Sequence, residues 1–182
     1  LPNILEALSS QTYAVFELII VIDGSTDNTR QVLTTGDQGI VFKIIEQENK
    51  GRAAVRNRGV KEAMGKILVF YDDDVRPEPD SVEKHVHFHR KYENAICGGN
   101  PPEDPERCTT DLHYYKAWLS QKWTSKYQDG LNQLTESNLF LSAANVSIRR
   151  TVFERLRGFD ESLMDHEDRD LAMRALEAGI NI

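Results

Sequence analysis

KILVFYDDDVRPEPDSVEKH, residues 66–85, runs from an apolar stretch straight into three consecutive aspartates, Asp72, Asp73 and Asp74. Asp80 and Glu83 follow at the spacing of a helix capping box. The stretch therefore reads as strand, acidic turn and helix. Neighbouring like charges at the mouth of a buried strand repel one another, and desolvation raises the cost. A metal ion, a basic side chain or open water has to offset them.

The same rhythm recurs upstream. FELIIVI (16–22) is an apolar run rich in β-branched residues, and DGSTDNTRQVL behind it reads as a turn and a helix, with Ser25 or Thr26 as its cap and Asp27 favouring its first turn. VFKII (41–45) is a second strand. ENKGRAAVRNRGVKEAMG (48–65) is a loop and a helix with an inner stripe of Ala53, Val60 and Met64, closed by Gly65. Strand and helix alternating three times predict an α/β fold, a mostly parallel sheet with helices on both faces. Ligands of such sheets bind beyond the carboxyl ends of the strands. Asp23 and residues 72–74 both lie at that edge, so the two acidic patches are expected to share one crevice.

Beyond residue 94 the pattern loosens. AICGGN is a short strand and turn, PPEDPERCTTD a loop, LHYYKAWLSQKW (112–123) a helix with an aromatic stripe, and FLSAANVSIRR (140–150) a strand entering another element. The last helix runs from about Glu167 to Ala178 and stops at Gly179. LPNILEALSSQ at the start is a helix with no strand before it, so the stretch reads as one domain cut at both ends.

The 182 residues, 40% hydrophobic and 28% charged, suffice for one core and exclude a disordered segment. A net charge of -7 argues against nucleic acid as a partner. There is no run of eighteen apolar residues and no signal peptide. Cys97 and Cys108 suit a reducing compartment, with one disulfide across the intervening loop as the alternative.

Five patterns arrive in one order: VIDGSTDNT (21–29), NKGRAAVRNRG (49–59), VFYDDDVRPEPD (69–80), NVSIRRTVFERLRGFDE (145–161) and HEDRDLAMRALEAG (166–179). Together they resemble the family of inverting glycosyltransferases, family 2, that contains cellulose, chitin and hyaluronan synthases and many bacterial polysaccharide glycosyltransferases. The resemblance covers nearly the whole chain. It implies the GT-A fold, a Rossmann-like α/β domain, with residues 1–94 as the nucleotide-sugar half and 95–182 as the half for acceptor and catalytic base. It implies a nucleotide-sugar donor, UDP by default, and a glycan or lipid-linked acceptor. It also implies a cytoplasmic setting, near a membrane through regions outside this stretch where the acceptor is lipid-linked.

By the same likeness Asp23, Gly24 and Ser25 lie at the nucleotide, with Lys50, Arg56, Asp72 and Asp73 beside it. Asp72 and Asp74 match the family's metal-binding Asp-x-Asp pair, and Mg²⁺ or Mn²⁺ suits carboxylate and phosphate oxygens. In an extended stretch 72 and 74 share a face and Asp73 points away. Asp168 matches the catalytic base, with Glu167 as second candidate. Two positions depart from the family: Ile22 replaces the first of two adjacent aspartates, and His166 stands where relatives often have glycine.

Plainer readings stand beside these. The aspartates would form a solvated turn, and Glu167, Asp168 and Asp170 would only favour a helix dipole. The arginines 52, 56 and 58 would be a solvent face; Arg149 and Arg150 approach the phosphates or the acceptor. His85, His87 and His89 look like a metal tract, but on a helix only His85 and His89 share a face, and a surface or packing role is the plainer reading. Tyr114, Tyr115, Trp118 and Trp123 read equally as a sugar trough or as core. Two other functions fit less well: a nucleotidyltransferase acting on sugar phosphates, and an inactive nucleotide-sugar-binding domain. A phosphate-accepting receiver module is disfavoured by the long irregular stretch 94–150.

Overall fold

In a computed structural model the described residues are 2–34, 39–99, 108–127, 130–132 and 134–182; most of the PPEDPERCTTD loop lies outside them. The chain order is α1 (Pro2–Ser9), β1 (Leu18–Asp23), α2 (Thr29–Thr34), β2 (Phe42–Gln47), α3 (Arg52–Glu62), β3 (Ile67–Tyr71), α4 (Ser81–Lys91), β4 (Ile96–Gly98), α5 (Asp111–Thr124), β5 (Asn145–Arg149), α6 (Arg150–Arg155) and α7 (Glu167–Glu177).

The α/β class and the strand–helix alternation are present. β1 and β2 pair in parallel from Leu18 opposite Phe42 to Asp23 opposite Gln47. The second sheet departs from the parallel expectation. Its order is β3-β5-β4, and β5 runs antiparallel to both neighbours, with Tyr71 opposite Asn145 and Ile96 opposite Ile148. β5 alternates with period two, as a strand covered on both faces must. Val146 and Ile148 enter the main core with Phe153, Phe159, Leu171 and Ala175, while Asn145 and Ser147 bond the inner face of α4. A smaller core of Leu5, Ile22 and Leu33 lies under β1 and β2. α3 ties the two together: Ala53 and Val60 sit in the main core, and Gly59 lies against Val21 of β1.

Several local expectations give way to other contacts, near and far in the chain. α2 begins at Thr29, and the Asp27 carboxylate accepts the Thr29 N–H at 2.9 Å, so neither Ser25 nor Thr26 caps it. The Thr29 hydroxyl first, and that N–H bond second, hold the Asp27 carboxyl below the usual range. α3 ends at Glu62, before Gly65, and Met64 is exposed rather than part of an inner stripe. At that end the Arg150 guanidinium donates to the carbonyls of Val60 in the last turn and of Ala63 and Gly65 just past it, groups a helix terminus leaves unpaired. Arg149 similarly donates to the His89 carbonyl near the end of α4. Both arginines thus close helix ends. The capping box before α4 does not form: Asp80 pairs with Lys84 and Glu83 accepts from Thr12. Cys97 and Cys108 are free thiols, and burial pushes the Cys97 thiol up to about 11.

α4 meets β5 through buried polar groups rather than aliphatic ones. His85 bonds Asn145 and Ser147, and His89 bonds Ser147, each at 2.8 Å. Burial, with His85 and Arg149 close by, lowers the His89 pKa to about 4. A base whose folded pKa lies below its unfolded value binds fewer protons when folded, so stability falls as pH drops from about 6.5 towards 4. His89→Gln, which can still donate to Ser147, is expected to flatten the thermal midpoint over that window. An unchanged slope would show that His89 does not titrate on unfolding.

Candidate active site

Asp23 ends β1. Its carboxylate accepts from Gln47 Nε2 at 2.7 Å, from the Lys50 N–H at 2.9 Å and from the Gly51 N–H at 3.0 Å. It therefore pins the loop that opens α3. Gly24 has φ +72°, and a Cβ there would come within 2.8 Å of the Asn49 nitrogen, so this turn requires glycine. Ser25 and the side chain of Lys50 are exposed.

Five residues beyond Gly51, about 7–8 Å along the α3 axis, Arg56 reaches Asp72. Its Nη2 donates to Asp72 Oδ1 at 2.8 Å and its Nη1 to Glu167 Oε1, and the guanidinium lies 5.6 Å from the Phe159 ring centroid. The Arg56 side chain is 12% exposed and that of Glu167 4%. α3 thus holds Asp23 at its start and Asp72 one turn further on, and the two acidic patches meet along it. Asn57 braces the loop before α7 by bonding both the N–H and the carbonyl of Phe159.

The acidic stretch is a turn, with the Val75 N–H donating to the Asp72 carbonyl at 3.2 Å. The extended alternation that set Asp73 opposite its neighbours does not hold there. Asp73 and Asp74 are exposed, Asp72 half-buried. The Asp72 N–H donates to the Ala144 carbonyl at 3.2 Å, and the Ala143 N–H donates to Asp168 Oδ2 at 3.4 Å. One short turn before β5 therefore bears on both aspartates. Backbone groups carry no residue signature, which is why this turn was not legible in the sequence.

Glu167 and Asp168 begin α7 and differ sharply. Glu167 is buried and committed to Arg56, which removes it as a proton acceptor for a ligand. Asp168 is half-buried, with Oδ1 on the Arg169 N–H at 2.7 Å. His166, before them, has φ +62°, the left-handed region that glycine occupies without strain. Asp170 pairs with Arg174 across one helical turn at 2.6 Å. Arg52 and Arg58 make exposed ion pairs with Asp165 and Glu62. Tyr114, Tyr115 and Trp118 are all more than half exposed on α5, so they are not core; the Trp123 side chain lies outside the described residues.

Among the described residues no cluster of three metal-ligating side chains occurs. The carboxylates of the acidic turn nonetheless fit a hard cation. Asp74 is exposed with no hydrogen bond from a described residue, and Asp72 engages Arg56 through Oδ1 only. Mg²⁺ characteristically takes one or two carboxylates and completes its shell with phosphates and water.

Residues 1–157 match the family model described as Glycosyl transferase family 2. The chain is 26% identical over 184 residues to the O-antigen chain rhamnosyltransferase RfbN of Salmonella typhimurium, covering 100% of this chain and 58% of that protein. It is 26% identical over 183 residues to the glycosyltransferase AglE of Haloferax volcanii, covering 98% and 57%. The chain thus spans little more than half the length of these curated relatives. Among solved structures it is similar to the mannosyltransferase PcManGT from Pyrobaculum calidifontis in complex with GDP-Man and Mn²⁺, with TM-score 0.70, 20% identity, and 99% of this chain and 50% of that one covered. It is also similar to S. aureus TarS 1-349 in complex with UDP, with TM-score 0.68, 21% identity, and 95% and 50% covered. These structural likenesses show the GT-A type of α/β fold.

Proposed function

The chain belongs to glycosyl transferase family 2, and from that premise we propose that its acidic crevice moves a sugar from a nucleoside diphosphate donor to an acceptor hydroxyl, with inversion at the sugar carbon. The observation that carries this reading is the Arg56 fork, which joins Asp72 at the end of β3 to Glu167 beside Asp168. The strand-end carboxylate Asp72 and the candidate base beside Glu167 are thereby held close to one another.

Asp168 takes the proton of the acceptor hydroxyl. The acceptor oxygen then attacks the anomeric carbon from the face opposite the diphosphate, and the bonding pair leaves with the β-phosphate oxygen. A divalent cation held by Asp74 and Asp72 would stabilise charge on the departing diphosphate. Asp23, Gly24, Ser25, Lys50 and Asp73 form the nucleotide side; Asp23 acts there by fixing the loop that carries Lys50. Arg56 braces the carboxylates instead of holding the nucleotide. Residues 1–94 form the donor half and 95–182 the acceptor half, the two sharing a sheet through β3 and β5. The exposed aromatic face of α5 suits the apolar side of a glycan or lipid-linked acceptor. Similar proteins hold GDP-Man with Mn²⁺, or UDP, which supports a guanosine or uridine donor. No described helix is long and apolar enough to cross a membrane. A cytoplasmic placement follows from where nucleotide sugars are made.

Calorimetric titration with UDP, GDP, ADP and CDP, with and without Mn²⁺, tests the reading. One nucleotide should bind tightly, and only with the cation. Asp74→Ala should abolish the Mn²⁺-dependent part of that affinity, whereas unchanged Mn²⁺ dependence would remove Asp74 as the ligand. A folded wild-type protein that binds none of the four would leave an inactive domain or a different enzyme altogether as the better account.

A further inference from the structure

Beneath the acidic turn lies a buried polar chain that no step of the transfer uses. His85, His89, Asn145 and Ser147 are each at most 8% exposed. Their proton order follows from one bond. Asn145 Oδ1 lies 2.8 Å from His85 Nε2, so that nitrogen donates. Burial keeps His85 neutral, so its Nδ1 must accept, and it does so from the Ser147 hydroxyl at 2.8 Å. Ser147 Oγ then accepts from His89 Nε2–H at 2.8 Å. His89 Nδ1 is left as a bare lone pair, and it is one of the two buried side-chain nitrogens that find no partner among the described residues. The chain therefore runs in one direction and ends on the Asn145 side chain.

Asn145 is closely confined. A Cβ on Gly99 would lie 2.2 Å from its Nδ2, its carbonyl accepts the Gly99 N–H at 2.8 Å, and its own N–H donates to the Ser142 carbonyl at 3.4 Å. It thus anchors the downstream end of the 142–144 turn. The Ala144 carbonyl in that turn receives the Asp72 N–H, and its Ala143 N–H meets Asp168. Tilting the 144–145 peptide moves the Ala144 carbonyl away from the Asp72 N–H and breaks the Asn145 N–H bond to the Ser142 carbonyl, the bond that closes the turn carrying the Ala143 N–H. We infer that His85 is a positioning residue: through Asn145 it fixes the turn on which Asp72 and Asp168 both bear, so that the cation side and the base side of the cleft keep their spacing. Its catalytic consequence rests on the transfer reading above; its structural consequence does not.

The test pairs amide hydrogen exchange with kinetics in His85→Phe, His85→Gln and Val82→Ala. Val82 is buried on the same helix, is apolar, and serves as a control for packing loss alone. With exchange referred to each variant's global stability, His85→Phe should speed exchange at Asp72 and Gly99 by about tenfold and lower kcat by a similar factor, the scale of one lost buried hydrogen bond. Val82→Ala should do neither, and His85→Gln, whose amide can donate to Asn145, should recover most of both. If His85→Phe does not fold, Asn145→Ala carries the same expectation, because it removes the acceptor and leaves the His85–Ser147 bond. Exchange at Asp72 in His85→Phe that merely tracks Val82→Ala, or glutamine that rescues nothing, overturns the inference. Wild-type protein that neither binds nucleotide nor transfers sugar sinks the transfer reading instead, while the exchange data still decide for or against His85.

Discussion

Replacing Asp168 with asparagine is expected to lower transfer by about 10²–10⁴-fold, the usual worth of a general base, and to leave Mn²⁺-dependent nucleotide affinity nearly unchanged. Asparagine preserves the shape of the side chain, and its single carbonyl oxygen can keep the 2.7 Å bond from the Arg169 N–H while giving up the longer 3.4 Å contact from the Ala143 N–H, so the start of α7 should stay in place. What it lacks is a basic oxygen for the acceptor proton. Steady-state kinetics beside calorimetry separates the two effects: kcat should collapse while the nucleotide dissociation constant holds. The base is proposed at Asp168 and not at its neighbour because Glu167 is buried in an ion pair with Arg56. Near-normal turnover in Asp168→Asn, or a large loss of nucleotide binding, would assign the proton to another group.

Replacing Arg56 with methionine should have the largest effect on stability. Glu167 would be left buried without its counter-charge, and breaking a buried ion pair from one side costs about 3–5 kcal/mol. The Asp72 arm adds less, because that carboxylate is 43% exposed and solvent screens it. Adding Glu167→Met in the same chain removes the stranded charge, and well-packed apolar replacements of buried pairs are often neutral in stability. The double variant should therefore regain most of the urea midpoint. It should not regain transfer, because the fork that spans β3 and α7 is gone. A loss below about 1 kcal/mol in Arg56→Met would place the pair in the range of exposed salt bridges and remove the fork as the element that organises the site. Full recovery of kcat in the double variant would do the same for its catalytic role.

The two aspartates at the strand ends, Asp23 and Asp72, were legible because strand periodicity and apolar runs locate a sheet's carboxyl edge without any knowledge of packing. The single capping and spacing arguments fared worse. Asp80 and Glu83 have the capping-box spacing, yet Lys84 and Thr12 take them. Met64 completes an apolar stripe on paper, but the helix ends at Glu62, and Arg150, 85 residues from Gly65, takes up carbonyls at and beyond its end. A capping preference is worth about 1 kcal/mol, and at Asp80 and Glu83 the i,i+4 partner Lys84 and the distant Thr12 outweigh it.

The sequence by itself determined the α/β class, the family through five motifs in one order, and the carboxylates that stand at the strand ends. These follow from short-range order: an apolar run, a turn residue and a charge at fixed spacing mean the same thing wherever the chain goes next. Tertiary structure alone decided which carboxylate is free. Arg56 and Glu167 meet across 111 residues of chain, and Asp168 stays accessible because its neighbour is buried. Burial and pairing set whether a charged oxygen can serve a ligand, and both depend on which elements pack together, a property that no local spacing encodes.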